Sequence, residues 1–361
     1  MPPSPFRLTP LTFTDLDGWA ADDHAAAFCA FRLSAATIAD APPKTRALGV
    51  DGAALSVVAR DALALPDQSA VAARGFFEAH FAPVLVEPET GRGFFTGYYE
   101  PEVDGARAAS PRFSVPLHAP PADLVEIDEE NPPPGVPAGY RFARRTESGY
   151  APYPDRAAIM AGALDGAALE LVHLADPVDA FFIHIQGAAR VRLAEGGVMR
   201  VTYAAKSGHP YTPIGRVLVD RGALPRGGVT MEAIRAWLAD RPDEAPSVLA
   251  ANRSYIFFRE APVDDPALGP VAAAKVPLSP GRSLAVDRTL HTFHMPVWVE
   301  TILPGGAPLR RLLVAQDTGS AILGPARGDV FFGSGDAAGA IAGAMQAAGR
   351  FVALVPRGAL P

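Results

Sequence analysis

Asp287, Asp317 and Asp329 lie close together near the C-terminal end of the chain, each beside a short apolar run. They stand in Val286-Asp287-Arg288, in AQDTGSAILG and in RGDVFFGSG. A carboxyl at a strand end can hold or deliver a proton, and two that share a site push their pKa values apart. The tetrapeptide Asp317-Thr318-Gly319-Ser320 alone marks an aspartic protease. Such an enzyme needs two of these loops to build its dyad, and this chain carries a single one. Protease is the weaker reading. The alternative is that the three aspartates converge at one end of a small barrel.

Other chemistry-bearing stretches offer less. His291 and His294 are three apart on an expected strand or loop, which puts their rings on opposite faces. They read as satisfied or solvent-facing histidines rather than a metal pair. Gly333-Ser-Gly335 precedes a helix but lacks the lysine of a phosphate loop. Cys29 is the single cysteine, which excludes an intrachain disulfide and a four-cysteine zinc site.

The elements that must position these groups are legible in outline. With 361 residues, 49% of them hydrophobic and 20% charged, the chain can bury one large domain or two ordinary ones. Thirty-seven prolines and 34 glycines call for many turns, hence a β-rich topology. The net charge of −7 and the lack of any Lys/Arg-rich run argue against a nucleic-acid surface. No uninterrupted apolar run reaches the ~18 residues of a membrane span. The N-terminal stretch lacks the basic and apolar regions of an export leader.

Helices are expected in the first hundred residues, at 19–36, 55–65 and 69–81, followed by an aromatic strand at 92–101. The proline-dense, acidic segment 119–139 reads as an exposed loop. Residues 179–187 read as a buried strand with 198–203 beside it, and 231–240 as a helix capped by Thr230. After 255 the chain returns to short strands, at 255–258, 283–286, 296–301, 312–316, 330–332 and 351–355, with one helix near 337–348. Six short strands with little helix point to a small barrel.

Asp287, AQDTGSAILG and RGDVFFGSGDAAG together resemble the three-aspartate domain of the lytic murein transglycosylase A family. Four further blocks match in order: Phe95-Thr-Gly-Tyr-Tyr-Glu-Pro101, Ala151-Pro-Tyr-Pro-Asp-Arg156, Ile185-Gln-Gly187, and the run from Tyr203 to Gly222. The resemblance implies a mainly β fold with peripheral helices. A discontinuous double-psi β-barrel would be built from 1–102 and 255–361, with a smaller β-domain inserted at 103–254 and a sugar groove between them. It also implies cleavage of the β-1,4 bond between N-acetylmuramic acid and N-acetylglucosamine in peptidoglycan, leaving a 1,6-anhydro end. The enzyme would act as a monomer on glycan strands in the periplasm or cell envelope, without cofactor, metal or nucleic acid.

Carried over by position, the resemblance makes Asp329 the acid/base, with Asp317 and Asp287 as its tuning or orienting neighbours. Substrate contacts are expected from Thr96, Gly97, Tyr98 and Tyr99 on one wall and from Gln186, Gly187, Lys206 and Ser207 on the other. Strand neighbours face opposite ways, so Tyr98, two residues from Thr96, is favoured over Tyr99. Two other classes compete: a non-catalytic, expansin-like glycan-binding module, and a hydrolase with two carboxylates.

Overall fold

The structure is a computed structural model that describes residues 6–89, 91–227 and 229–359. The chain divides into two compact units. One holds the chain up to Tyr99 and again from Asp265 onward; the other is the continuous stretch Glu100–Asp264.

Six strands of the first unit close into a ring. Hydrogen-bonded neighbours run Gln346–Pro356, Pro296–Ile302, Pro308–Asp317, Ser283–Ala285, Arg327–Ser334 and Gly93–Glu100, and the last pairs back onto the first. Closure satisfies the backbone groups that an open edge would expose. Ser283–Ala285 runs parallel to Pro308–Asp317 and antiparallel to Arg327–Ser334. Phe81–Pro88 and Phe6–Pro10 continue the sheet outward from Gln346–Pro356. Val297, Trp298 and Val299 are consecutive, so they alternate in direction, yet all three are fully buried. The strand is therefore covered on both sides.

Helices supply part of that cover. His24–Ile38, Gly52–Ala64 and Ala70–His80 begin at Asp23, Asp51 and Ser69, whose side chains accept from the backbone N–H groups of Ala26, Ala53 and Ala72. Such caps satisfy donors that a helix start leaves open, at about 1 kcal/mol each. Phe28 and Phe31 from the first helix meet Phe76 and Phe77 from the third in edge-on and tilted pairs. The buried amide of Gln316 ties the first helix to the barrel. Its Nε2 donates to the Ala30 carbonyl at 3.0 Å and to Ser34 Oγ at 2.9 Å, while its Oε1 accepts from Ser283 Oγ. Asp317, the next residue, begins from a fixed backbone.

The strand expected at 255–258 does not join the ring. Ile256–Ala261 pairs antiparallel with Val198–Lys206 in the second unit, and the ring takes its sixth strand from Gly93–Glu100 instead. A short apolar run carries no label for its sheet.

The second unit is built on a six-stranded sheet, in the order Ile256–Ala261, Val198–Lys206, Ala188–Leu193, Glu102–Ala106, Glu170–Leu174 and Val115–His118. A three-stranded sheet, Leu124–Glu126, Phe142–Thr146 and Gly149–Ala151, accompanies it. The segment expected as a buried strand at 179–187 is the α-helix Pro177–Gln186. Asp176 caps it, accepting from Val178 N–H at 2.7 Å, Pro177 opens its first turn, and Gly187 at φ 80° ends it. These boundary signals outweigh a continuous apolar run, which fits helix and strand alike. Glu100, at the start of this unit, is buried with one oxygen accepting from Arg200 Nε at 2.6 Å and the other from Arg190 Nε at 2.8 Å.

Candidate active site

The strand Gly93–Glu100 sets the first wall by simple alternation. Phe95 and Tyr99 are buried, and Phe95 stacks on Phe351 at 6.4 Å. Thr96 and Tyr98 therefore share the other face. A Cβ on Gly339 would lie 2.8 Å from the Tyr99 ring, and one on Gly97 would lie 2.6 Å from Phe332 and 2.9 Å from the Ala342 backbone. Helix Gly335–Ala344 thus rests on this strand at backbone distance. Gly97, expected as a sugar contact, is also a packing position. Gly97→Ala is expected to destabilise the protein by about 1–3 kcal/mol through overpacking, measured by denaturant unfolding.

From that face Tyr98 Oη donates to Asp317 Oδ2 at 3.0 Å, and Thr96 Oγ1 donates to Asp329 Oδ1. Ala285 stands in register with both aspartates, one on each flanking strand. Asp317 and Asp329 are thus two strands apart, roughly 10 Å between backbones. Asp317 also accepts from Ala273 N–H, at 3.2 Å.

Arg327, two residues before Asp329 on the same strand, completes the arrangement. Its Nη2 donates to Thr96 Oγ1 at 2.6 Å. A guanidinium can only donate, so it occupies a lone pair of Thr96 and turns the hydroxyl hydrogen onto Asp329 Oδ1. A proton carried by Asp329 then belongs on Oδ2. That oxygen has no hydrogen-bond partner among the described residues and is not sealed in the interior.

Burial pushes both carboxyls up. Asp317 is raised to about 6 by desolvation; the Thr318 and Ala273 N–H groups and the Tyr98 hydroxyl pull it back, and Asp329 adds repulsion. Asp329 is raised by burial against the opposing pull of Arg327 and Thr96. The Tyr98 phenol is held well above its ordinary value, by burial first and then by Asp317 and Asp329, so it stays a donor. Tyr98→Phe removes one stabiliser of the Asp317 anion. Its titration is expected to move above about 6, a shift read by carboxyl carbon NMR against pH.

Asp287 shares no side-chain hydrogen bond with this pair or with their partners Thr96 and Tyr98. It is buried, with Oδ1 accepting from Thr289 N–H at 2.9 Å and Oγ1 at 2.6 Å, and Oδ2 accepting from Gly324 N–H at 2.8 Å. It fastens the loop after Asp317 to its own turn. In the second unit, Ser207 is fully buried and its Oγ accepts from Tyr255 N–H at 3.1 Å. Gly187 is the helix cap, with its carbonyl accepting from Tyr203 N–H at 2.7 Å. Gln186 ends that helix and Lys206 ends the strand Val198–Lys206; both are half-buried.

The histidines depart from expectation. Neither is solvent-facing: both rings are buried, and both nitrogens of His291 and Nδ1 of His294 have no hydrogen-bond partner among the described residues. Desolvation pushes each down to about 4. The described residues contain no group of three or more His, Cys, Asp or Glu placed to hold a metal ion.

A closed β-ring carrying two raised carboxyls, interrupted by a β-rich insert, defines a two-domain β protein with a candidate acid/base site. Residues 94–259 match the MltA specific insert domain, and residues 282–355 match the 3D domain. A crystal structure of membrane-bound lytic murein transglycosylase from Agrobacterium tumefaciens superposes with a TM-score of 0.89 at 44% identity, covering 97% of this chain and 98% of that one. MltA from Neisseria gonorrhoeae gives 0.79 at 33% identity, over 99% and 96%. The membrane-bound lytic murein transglycosylase A of Vibrio cholerae is 30% identical over 269 residues, 72% of this chain and 64% of that protein. The chain belongs to the lytic murein transglycosylase A family.

Sequence reasoning missed Arg327 and the Ala273 N–H. Arg327 was within reach, since a residue two before Asp329 on a strand shares its face. Ala273 lies in a stretch without periodicity, and only the fold brings it to Asp317.

Proposed function

We propose that this protein is a lytic transglycosylase that cleaves the β-1,4 bond between N-acetylmuramic acid and N-acetylglucosamine in peptidoglycan, at the cell envelope. Asp329 protonates the departing glycosidic oxygen through Oδ2. The C6 hydroxyl of the muramic acid then attacks its own C1, and Asp329 takes up that hydroxyl's proton, leaving a 1,6-anhydro end. An intramolecular nucleophile already has a high effective concentration, so no second carboxylate is required to activate water or form a covalent intermediate.

The observation that carries this reading is the Arg327–Thr96–Asp329 chain, which commits one carboxyl oxygen and leaves the other open, in a site whose burial raises the carboxyl's pKa. Asp317 has donors from Tyr98 and Ala273 on its two oxygens and serves as the neighbour that holds Tyr98 in place. Asp287 orders the adjoining loop. Of the residues expected on the second wall, Gln186 and Lys206 are the proposed sugar contacts.

Mass spectrometry of peptidoglycan digested by the purified protein tests the reaction. Anhydro-muramic ends are expected. Hydrated reducing ends would indicate a hydrolase, and an intact polymer that nonetheless retains the protein would indicate a binding module.

A further inference from the structure

A cavity lies within the first unit, and Ala273 is the one residue of its wall given a role above. It has a volume of about 230 Å³, opens to solvent, and is lined by Lys44, Arg46, Lys275, His294, Ile38 and Phe293, among others, with no carboxylate in its wall. In a chain with a net charge of −7, three cationic side chains around one cavity are a local excess. Among the described residues, the side chains of Lys44, Arg46 and Lys275 form no salt bridge or hydrogen bond; the Arg46 backbone N–H donates to Thr292 Oγ1.

Two independent features mark the cavity as more than a gap between loops. His294 is 4% exposed and its Nδ1 has no hydrogen-bond partner among the described residues, although leaving a buried polar atom unsatisfied is costly. Lys275 and His294 also hold φ angles of 65° and 71°. Side chains in this left-handed region are costly unless the surroundings enforce them, and such residues gather at ligand sites. Two of the three non-glycine residues with positive φ among those described line this one cavity.

The chemistry of the wall selects the ligand. Arg46 offers the fork that matches a carboxylate, and the two lysines add point charges. Ile38, Pro43 and Phe293 give the cavity an apolar side that an inorganic anion would leave uncovered. We propose that this cavity is a binding site for the carboxylate of a short acidic peptide, held by Lys44, Arg46 and Lys275, with His294 beside it. Peptidoglycan carries acidic peptides on its glycan, so the natural occupant is the peptide arm of the polymer. Only that last step rests on the transglycosylase reading. The cavity adjoins the site through Ala273, which lines it and donates to Asp317.

Calorimetric titration of the full chain with acetyl-Ala-Glu tests the proposal, beside the neutral acetyl-Ala-Gln-amide and inorganic phosphate. The acidic dipeptide is expected to bind at least about tenfold more tightly than its neutral analogue, and Lys44→Gln with Lys275→Asn to remove that preference, a difference of about 1.4 kcal/mol. Asparagine tolerates positive φ, and the single exposed change Lys44→Gln, expected to weaken binding in part, guards against misfolding. Equal binding of the two dipeptides, binding unaffected by the paired substitutions, or phosphate binding as tightly as the peptide would overturn it. Muropeptide release is measured separately: release without peptide binding refutes the cavity, and peptide binding without release refutes the transglycosylase reading alone.

Discussion

Asp329→Asn is expected to lower release of anhydro-muropeptides from purified sacculi by about 10²–10⁴-fold, the usual contribution of a general acid. The substitution keeps size and shape. An asparagine carbonyl can still accept from Thr96 Oγ1, as Asp329 Oδ1 does, so the Arg327–Thr96 arrangement survives. What disappears is the proton at the second position, needed to discharge the departing sugar, and with it the base that must receive the C6 hydroxyl's proton. The loss is expected in kcat, with sacculus binding retained, because the missing interaction belongs to the transition state. Chromatographic quantification of soluble anhydro products decides it. Near-wild-type release by the variant would remove Asp329 from the mechanism and turn attention to Asp317, whose carboxyl burial pushes up to about 6.

The second large effect concerns stability rather than chemistry. Glu100 is buried and receives Arg190 and Arg200 on its two oxygens, and both arginines are themselves nearly buried. Glu100→Gln keeps the shape but strips the anion from between two cations, and a broken buried pair costs about 3–5 kcal/mol. The pair holds three strands of the insert at one point. Arg190 lies on Ala188–Leu193, Arg200 lies on Val198–Lys206, and Glu100 leads into Glu102–Ala106. Denaturant titration followed by fluorescence is expected to show the insert unfolding at lower denaturant. A change below about 1 kcal/mol would mean that water or backbone groups already compensate the charges.

How far the sequence reaches can be judged element by element. The three N-terminal helices were legible because their apolar stripes and caps are local, and the ring strands because Val, Leu and Phe recur in short runs between turns. Thr96 and Tyr98 were placed on one face by a period of two. Other features escaped, among them the strand Leu124–Glu126 inside the segment that reads as an exposed loop. Residues 179–187 are apolar throughout, so no period separates helix from strand, and Asp176, Pro177 and Gly187 decide it at the ends. The strand at 256–261 joins the insert because its partner, Val198–Lys206, does, a pairing that no local pattern encodes. His291 and His294 are buried by the packing around them, which their spacing does not report.

The amino-acid order by itself determined which side chains could do chemistry and which of them share a strand face, since both follow from residue type and backbone alternation. Only the tertiary structure decided which aspartates meet which donors. Asp329 meets Thr96 and Arg327, Asp317 meets Tyr98 and Ala273, and Asp287 fastens Gly324. Those partners come from strands and loops far apart in the chain, and the energies that tune a buried carboxyl act over a few ångströms of space, not over positions in a sequence.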